Sequence, residues 1–513
     1  MNKASQKILF CYIFFLCAHI GLVWFLKYFP TQDGPSHIYN IGILHDLLNG
    51  GKEWGNYFTY KLHAVPNLGF NLLAYPMLHF FPPLVAEKLF VSMYIVLMGC
   101  SVPLLLHVFN KPSMPLSFFV FPVMFNFTLL MGFYSYVVTI PLFLIAFSLC
   151  WKNYNHSRIF KFVFLNITGL IIFYFHLIPF VLFLISLIVI TIVRSTDSKE
   201  RIVELVKLLA TISPIILNLI FYLIHSPKNP FPEISYLLSV SRYIRLLSDL
   251  FSFSAVNFSP WQMFAASPVM FLYLLFTYSS VKDIYKRNRQ NKAVPDSEKF
   301  LLFLSSALIL IYLFAPFRFG GGSFFNQRFP WVIFLIILPL FKIPEGTFWK
   351  RFGSKIIVGA VSFFFVFNAV TLWQQSSKVE KFLSGLHAEL PKGAFIMTYK
   401  AIKPERPKVD ILLHAASYYG IFKKCVNIGN YETGLYYFPV KFKDTIPNFP
   451  SESQISYAPE TIDWLDYPSI QYLLGWEIDK NNMENLSKFF HIIWEGGHSS
   501  IWQRNSIYRL SDK

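Results

Sequence analysis

The chain has 513 residues, of which 54% are hydrophobic and 14% are charged, and its formal net charge at pH 7 is +17. About a quarter of the residues in a typical soluble domain are charged, so this composition excludes an ordinary soluble globular protein. The positive charge alone would fit a nucleic-acid binder, but the order of apolar and basic segments along the chain favours a membrane protein.

Eleven apolar stretches approach the roughly 20 residues that a membrane-spanning helix needs. Inside lipid the backbone must satisfy its own hydrogen bonds, so each stretch is predicted to be helical. The predicted spans are 8–27, 87–108, 115–132, 134–151, 160–175, 177–194, 208–225, 264–281, 300–315, 331–341 and 355–373, of which the tenth is short. The sequence therefore predicts a mainly α, polytopic membrane protein whose membrane domain is 1–373.

Basic residues concentrate in alternate connections between the predicted spans. Connection 282–299 holds six Lys or Arg residues, whereas connections 28–86, 226–263 and 316–330 are poorer in them for their length. This positive-inside bias predicts a cytoplasmic amino terminus, with loop 28–86 and the chain after residue 373 outside the cytoplasm. It explains the net charge without a nucleic-acid partner and predicts a multi-pass protein of a cell membrane, which we expect to be a bacterial cytoplasmic membrane.

The first external loop, 28–86, carries the clearest chemical signal. Asp33 and His37 lie just after the first span, at the start of a segment with apolar residues at 38, 41, 44, 47 and 48. That spacing predicts an amphipathic helix lying along the membrane surface. A second surface segment is predicted at 68–81. The loop would hold an ionisable pair at headgroup depth, where a lipid-borne substrate can reach it.

A sugar attached to a polyprenyl phosphate would present its anomeric carbon at this depth. Transfer to a hydroxyl needs a general base, which a carboxylate such as Asp33 can supply, with His37 orienting it or contacting the acceptor. The departing phosphate needs a cation, and the planar fork of Arg suits it. The candidate phosphate ligands are Arg328 and Arg318, which flank a segment starting at Gly320, and Arg242 and Arg245 in the amphipathic stretch 236–251.

The tail, 374–513, has the pattern of a small extracytoplasmic α/β domain. Strands are predicted at 394–399 and 470–474, a helix at 483–490, and a hairpin over 491–502 around a glycine turn. We expect this domain to cover the cavity and to help select the acceptor.

The early acidic loop, the many spans and the outer domain together resemble the GT-C superfamily of integral-membrane glycosyltransferases. In that superfamily an acidic residue of the first external loop acts as base or metal-linked acid, and Asp33 matches its position. The stretch 126–136 resembles the turn between the third and fourth spans of bacterial members, and 326–330 resembles an Arg-bearing segment near a lipid-phosphate site. Many members carry paired acids, whereas Asp33 is followed by Gly34 and Pro35. This departure from the family pattern favours a single-carboxylate, metal-independent enzyme without a cofactor, and a divalent metal is the alternative that no paired-acid motif supports.

Each candidate residue also has a structural interpretation. Asp33 could be a helix N-cap, and His37 could be a hydrogen-bonding histidine at the interface. Arg242, Arg245 and Arg318 could extend their side chains to lipid headgroups.

Other classes of function stay open beside the glycosyltransferase. A polysaccharide polymerase or ligase acting on lipid diphosphates would use the arginines of loop 226–263. A transporter is disfavoured because the spans have almost no charged residues in their middles, and a non-catalytic membrane scaffold is the remaining alternative. Apart from membrane lipids, the expected partners are a polyprenyl-phosphate-linked sugar and an acceptor that is a lipid, a glycan or a protein.

Overall fold

The protein is mainly helical. The computed structural model describes residues 3–109, 114–227, 237, 239–251, 257–318, 322–400 and 408–506. Its helices up to residue 382 are α1 (Lys3–Phe25), α2 (Gly34–Leu48), α3 (Gly69–Met77), α4 (Pro83–Phe109), α5 (Phe127–Leu130), α6 (Tyr134–Lys152), α7 (Arg158–Phe175), α8 (Leu177–Arg194), α9 (Ser198–Thr211), α10 (Ser213–His225), α11 (Val240–Phe251), α12 (Trp261–Arg289), α13 (Asp296–Phe314), α14 (Pro330–Ile337) and α15 (Thr347–Phe382).

Within the described ranges, eight helices are long and apolar enough to cross a membrane: α1, α4, α6, α7, α8, α12, α13 and α15. They coincide with eight of the eleven predicted spans, and the expectation of a polytopic, multi-pass membrane protein is confirmed. Helix α15 does not end at residue 373, the predicted domain boundary, but continues to Phe382 and into a 3-10 helix at Leu383–His387.

The other three predicted spans are shorter or broken. Segment 115–132 is a 3-10 helix, Met114–Val123, followed by α5, and segment 331–341 is α14 followed by a 3-10 turn at Leu338–Leu340. Segment 208–225 is divided between α9 and α10, which meet at a bend of 66°. Pro214 lies in the first turn of α10, where it has no N–H to continue the hydrogen bonds of α9.

Helix α2 differs from its prediction in its surroundings. It begins at Gly34, but its apolar residues Ile38, Ile41 and Leu44 are buried inside the protein instead of lying along the membrane surface. The helix packs against α3, α4 and a helix of the tail, α16 (Ala416–Lys423). A Cβ on Gly420 of α16 would lie less than 3.0 Å from three atoms of the Tyr39 ring, so the two helices meet without space for a side chain.

The tail contains a five-stranded mixed sheet, as expected for a small α/β domain. Strand order is β3-β2-β5-β7-β6, with β2 parallel to β3 and β5 and with β7 antiparallel to β5 and β6. The strands are β2 (Phe395–Lys400), β3 (Val426–Asn427), β5 (Tyr472–Trp476), β6 (Phe490–Gly496) and β7 (Ser499–Arg504), and the remaining helices are α17 (Glu452–Tyr457) and α18 (Lys480–Leu486). The predicted strands and hairpin are therefore present. The predicted helix 483–490 is shifted toward the amino terminus: it begins at Lys480, where Asp479 caps it, and ends at Leu486, and Phe490 already belongs to β6.

A second, two-stranded sheet joins the first loop to the tail. Strand β1 (Phe58–Tyr60) of the loop pairs antiparallel with β4 (Val440–Phe442) of the tail, with Phe58 opposite Phe442 and Tyr60 opposite Val440. Because strands that share hydrogen bonds lie side by side, the first loop and the tail are on the same side of the helix bundle.

Candidate active site

Asp33 stands at the start of α2 without serving as its cap. Its carboxylate accepts no hydrogen bond from the α2 backbone, all of which lies in the described part of the chain. Oδ1 instead accepts from Nε2 of Gln32 at 3.2 Å and lies 3.5 Å from Nε2 of His414. The residue is 8% exposed. The side chain is therefore held in a polar site between the loop and the tail.

The loop after α5 clamps the backbone around Asp33. The amides of Gln32 and Asp33 donate to the carbonyls of Leu130 and Met131 at 2.9 and 3.1 Å. Gly132 has φ +89°, and a Cβ there would lie 2.9 Å from Cβ of Asp33. A glycine is needed here both for the backbone conformation and for the close approach. The stretch 126–136, singled out in the sequence, thus positions the acidic residue.

His37 lies one turn into α2 and connects the two halves of the site. Its Nδ1 is 2.8 Å from Oε1 of Glu432, and its Nε2 is 3.0 Å from the carbonyl oxygen of Gly132. A carbonyl and a carboxylate only accept, so both ring nitrogens carry hydrogen and the ring is an imidazolium. Burial lowers the pKa of His37, but attraction to Glu432 and then to Asp33 outweighs it, and the net pKa is raised.

The polar face of α2 binds the tail through an asparagine pair. Asn40 and Asn430 exchange side-chain hydrogen bonds of 2.8 and 2.9 Å, and the Ser36 hydroxyl donates to Asn430 at 3.3 Å. Sequence reasoning missed Asn430 and Glu432. The spacing of Asp33, Ser36, His37 and Asn40 was the available signal, because positions i, i+3, i+4 and i+7 share one helix face.

Another missed group, from the loop after β2, lies beside Asp33 and Gln32. The Asp410 amide donates to Oε1 of Gln32 at 3.1 Å, and the Asp410 carboxylate forms an ion pair with Lys400. Burial, and then repulsion from His37, lower the pKa of His414 to about 3, so its ring is neutral beside Asp33. The tail therefore contacts Asp33 through His414 and the neighbouring Gln32 through Asp410.

Arg328 lies on the other side of this site, just before α14. Its guanidinium carbon is 4.1 Å from the centre of the Phe133 ring and 5.2 Å from that of Tyr136. Within the described residues its guanidinium has one hydrogen bond, from Nη2 to the Ser323 carbonyl at 3.5 Å. Arg328 interacts electrostatically with Tyr136, Tyr437 and Asp33. Its ring partner Phe133 directly follows Gly132, which packs against Asp33, so this arginine lies near the acid.

The other three arginines are placed differently. Arg242 is buried, and its Nη2 donates to the Ala315 carbonyl at 2.6 Å, which fastens α11 to the end of α13. Arg245, one turn along, is exposed, and so is Arg318. The glycines 320 and 321 and the start of the stretch 236–251 lie outside the described residues. Across the part of the chain that the structure describes, no three His, Cys, Asp or Glu side chains are grouped so as to hold a metal ion.

Fold and site together define a polytopic membrane protein whose first loop and α/β tail enclose an acidic site at one end of the bundle. Its structure is similar to the crystal structure of ArnT from Cupriavidus metallidurans in the apo state, with a TM-score of 0.52, 9% sequence identity and coverage of 100% of both chains. No protein-family model and no curated protein matches the chain. At this identity the likeness shows the fold alone, an ArnT-like polytopic fold.

Proposed function

We propose that the protein is a GT-C-type membrane glycosyltransferase that moves a sugar from a polyprenyl phosphate to an acceptor hydroxyl on the extracytoplasmic side. The observation that carries the proposal is the shared site of Asp33 and Arg328. The carboxylate of Asp33 attracts the guanidinium of Arg328, which has one hydrogen bond within the described residues, near the place where the first loop meets the tail. The ArnT-like fold supports the same class of enzyme.

In the proposed reaction Asp33 is the general base. Its carboxylate takes the proton of the acceptor hydroxyl, the hydroxyl oxygen attacks the anomeric carbon, and the bond from that carbon to the phosphate oxygen breaks. The bonding electrons leave with the polyprenyl phosphate, whose charge the N–H groups of Arg328 stabilise. A single displacement of this kind inverts the configuration at the anomeric carbon.

His37 has a supporting role in this proposal. Its imidazolium is engaged by Glu432 and the Gly132 carbonyl, so it does not supply a free base. It ties the tail to α2 beside Asp33 and adds positive charge to a site that must bind an anionic donor. Arg318, Arg242 and Arg245 are weaker candidates for contact with the phosphate, because two are exposed and the third is bonded to α13.

The test is transfer by the purified full chain in lipid nanodiscs, with a panel of polyprenyl-phosphate-linked hexoses and pentoses as donors. We expect Asp33→Asn to lower the transfer rate about 10²- to 10⁴-fold, the usual contribution of a general base, while polyprenyl phosphate still binds. Arg328→Gln should weaken that binding. Asp444→Asn, at an exposed acid of the tail, is the matched control and should transfer normally.

Two outcomes would contradict the proposal. Normal transfer by Asp33→Asn would show that the carboxylate is not needed for the reaction and would favour a polymerase centred on Arg242 and Arg245. A wild-type protein that binds polyprenyl phosphate without transferring any sugar of the panel would instead favour a non-catalytic scaffold or a transporter.

A further inference from the structure

A cavity lies at the end of the bundle opposite the candidate active site. It measures about 400 Å³ and is lined by residues of α6, α7, α8 and α9 and of the connection between α6 and α7. Arg158 begins α7 at this end, whereas the carbonyl of Tyr174, near the other end of α7, accepts a hydrogen bond from Leu68 beside α3. The cavity and the site around Asp33 are thus separated by the length of a membrane-spanning helix.

The cavity combines an apolar interior with a basic rim. Its apolar lining comes from Phe164, Leu165, Leu187, Ile190 and Leu208. The charged lining residues are Arg158, Lys161, Glu204 and Lys207, which leave two positive charges in excess. Glu204 pairs with Lys207 at 2.7 Å. Within the described residues Arg158 has no carboxylate partner, so its guanidinium is available to an anion.

Aromatic rings and one buried amide hold the rim in place. Lys161 lies 5.3 Å from the centre of the Tyr154 ring, and the guanidinium of Arg194 lies 3.9 Å from the centre of the Trp151 ring. The side chain of Asn166, which is 7% exposed, donates to the carbonyls of Phe162 and Thr211 at 2.8 Å each and so joins α7 to the end of α9. These contacts therefore fix the side of the cavity on which the cations lie.

The exposed residues of α9 and α10 indicate whether the cavity opens to water or to lipid. Ile202, Val206 and Leu209 of α9 are exposed, as are Leu217 and Phe221 of α10. In a membrane protein such surfaces contact lipid. Basic pockets between helices at the end of a membrane bundle are suited to anionic lipid headgroups, whose acyl chains can enter the apolar space beside them.

We propose that this cavity binds one anionic phospholipid. The phosphate lies at Arg158 and Lys161, and an acyl chain runs along Leu187 and Ile190. The charge excess of the rim selects an anionic headgroup over a zwitterionic one, and the apolar interior selects a lipid over a soluble phosphate. The proposed lipid site does not depend on the proposed sugar-transfer function.

The experiment is native mass spectrometry of the full-length protein, stripped of lipid in detergent and then mixed with phosphatidylglycerol or phosphatidylcholine. We expect wild type to retain phosphatidylglycerol at least tenfold better than phosphatidylcholine. Arg158→Gln/Lys161→Gln should lose that preference. Lys286→Gln/Arg289→Gln makes the same charge change at an exposed position on α12 and should keep it.

A steric variant and a soluble competitor complete the test. Ala210→Trp leaves the charges unchanged and narrows the cavity, so it should reduce retention of phosphatidylglycerol. Glycerol 3-phosphate, which has no acyl chain, should not compete. Equal retention by the two double variants, no preference in wild type, or full competition by glycerol 3-phosphate would each overturn the proposal.

Discussion

The imidazolium of His37 and the carboxylate of Glu432 form a charged contact between α2 and the tail. Their side chains are 12% and 3% exposed, and Nδ1 lies 2.8 Å from Oε1. Burial opposes the charge, but attraction to Glu432 raises the pKa of His37 above the ordinary 6.5. The stabilising contribution is therefore complete below about pH 6.5 and is lost as the pH rises through the raised pKa.

We expect His37→Gln to lower the free energy of unfolding by about 1.5–3 kcal/mol near pH 6, the usual value of a hydrogen bond to a charged group. The difference from wild type should shrink as the pH is raised from 6 to 9. Thermal unfolding in detergent measures it, with His63→Gln, at an exposed histidine of the same loop, as the control. A difference that grows with pH would show that the ring is neutral in this contact.

The sequence pointed to individual residues only where local chemistry distinguished them. Asp33 follows the first span in a loop that was otherwise predicted to lie along the membrane surface, and Arg328 precedes an apolar segment, so both could be selected. Glu432 and His414 could not be selected, because nothing near either of them forms a motif and their partners lie in the first loop. Whether Asp33 and Arg328 take part in catalysis stays a prediction.

Among the elements, the connection between α5 and α6 has the tightest fit to Asp33. Gly132 has a positive φ and approaches Cβ of Asp33 and the amide of Gly34. Gly132→Ala should cost about 1–2 kcal/mol for the left-handed backbone alone, and the added methyl group should displace Asp33. We expect a lower unfolding temperature together with reduced transfer.

The matched control is Gly359→Ala in α15. A Cβ at that exposed helical position meets nothing within 4 Å, and alanine is the better helix former. Its unfolding temperature should stay unchanged or rise. If Gly132→Ala behaved in the same way, the clamp on Asp33 would be looser than the structure indicates.

Helix α2 shows why the environment of an element was harder to predict than its existence. The spacing of Ile38, Ile41 and Leu44 predicted the helix and its apolar face. An apolar face has the same pattern whether it contacts lipid or protein, and the partners that bury α2 include α16, far along the chain. The broken segments had a similar difficulty, because hydropathy alone does not reveal the 66° bend between α9 and α10.

At the scale of the whole molecule, contacts at helix ends indicate where the bent and short segments lead. The hydroxyl of Tyr222, near the end of α10, is 2.7 Å from that of Tyr436 in the tail. The carbonyl of Leu130, in α5, accepts a hydrogen bond from the amide of Gln32 in the first loop. At the other end of the bundle, Nζ of Lys342, which follows α14, lies 3.7 Å from Oε1 of Glu298. Since β1 and β4 pair, an even number of crossings must separate the first loop from the tail. Seven unbroken candidates lie between them, so further crossings are needed, and we expect all three segments to cross.

Labelling of single cysteines in sealed vesicles with a membrane-impermeant maleimide tests this topology. His225→Cys, at the end of α10, should react from the same side as Tyr60→Cys in β1. Ser198→Cys, at the start of α9, should react only from the opposite side. All three positions are exposed. Reaction of both α9 and α10 positions from one side would make the bent pair a re-entrant loop.

The pairing of β1 with β4 has a consequence for biosynthesis. When the ribosome has synthesised every membrane helix, it has not yet synthesised β4, which completes the two-stranded sheet with β1. The tail residues that contact Asp33 and His37 are also still missing. The nascent protein can thus enter the bilayer with its acidic pocket unfinished. The candidate active site would therefore be complete only late in translation. A chain truncated after the last membrane helix would be inserted in the membrane but inactive.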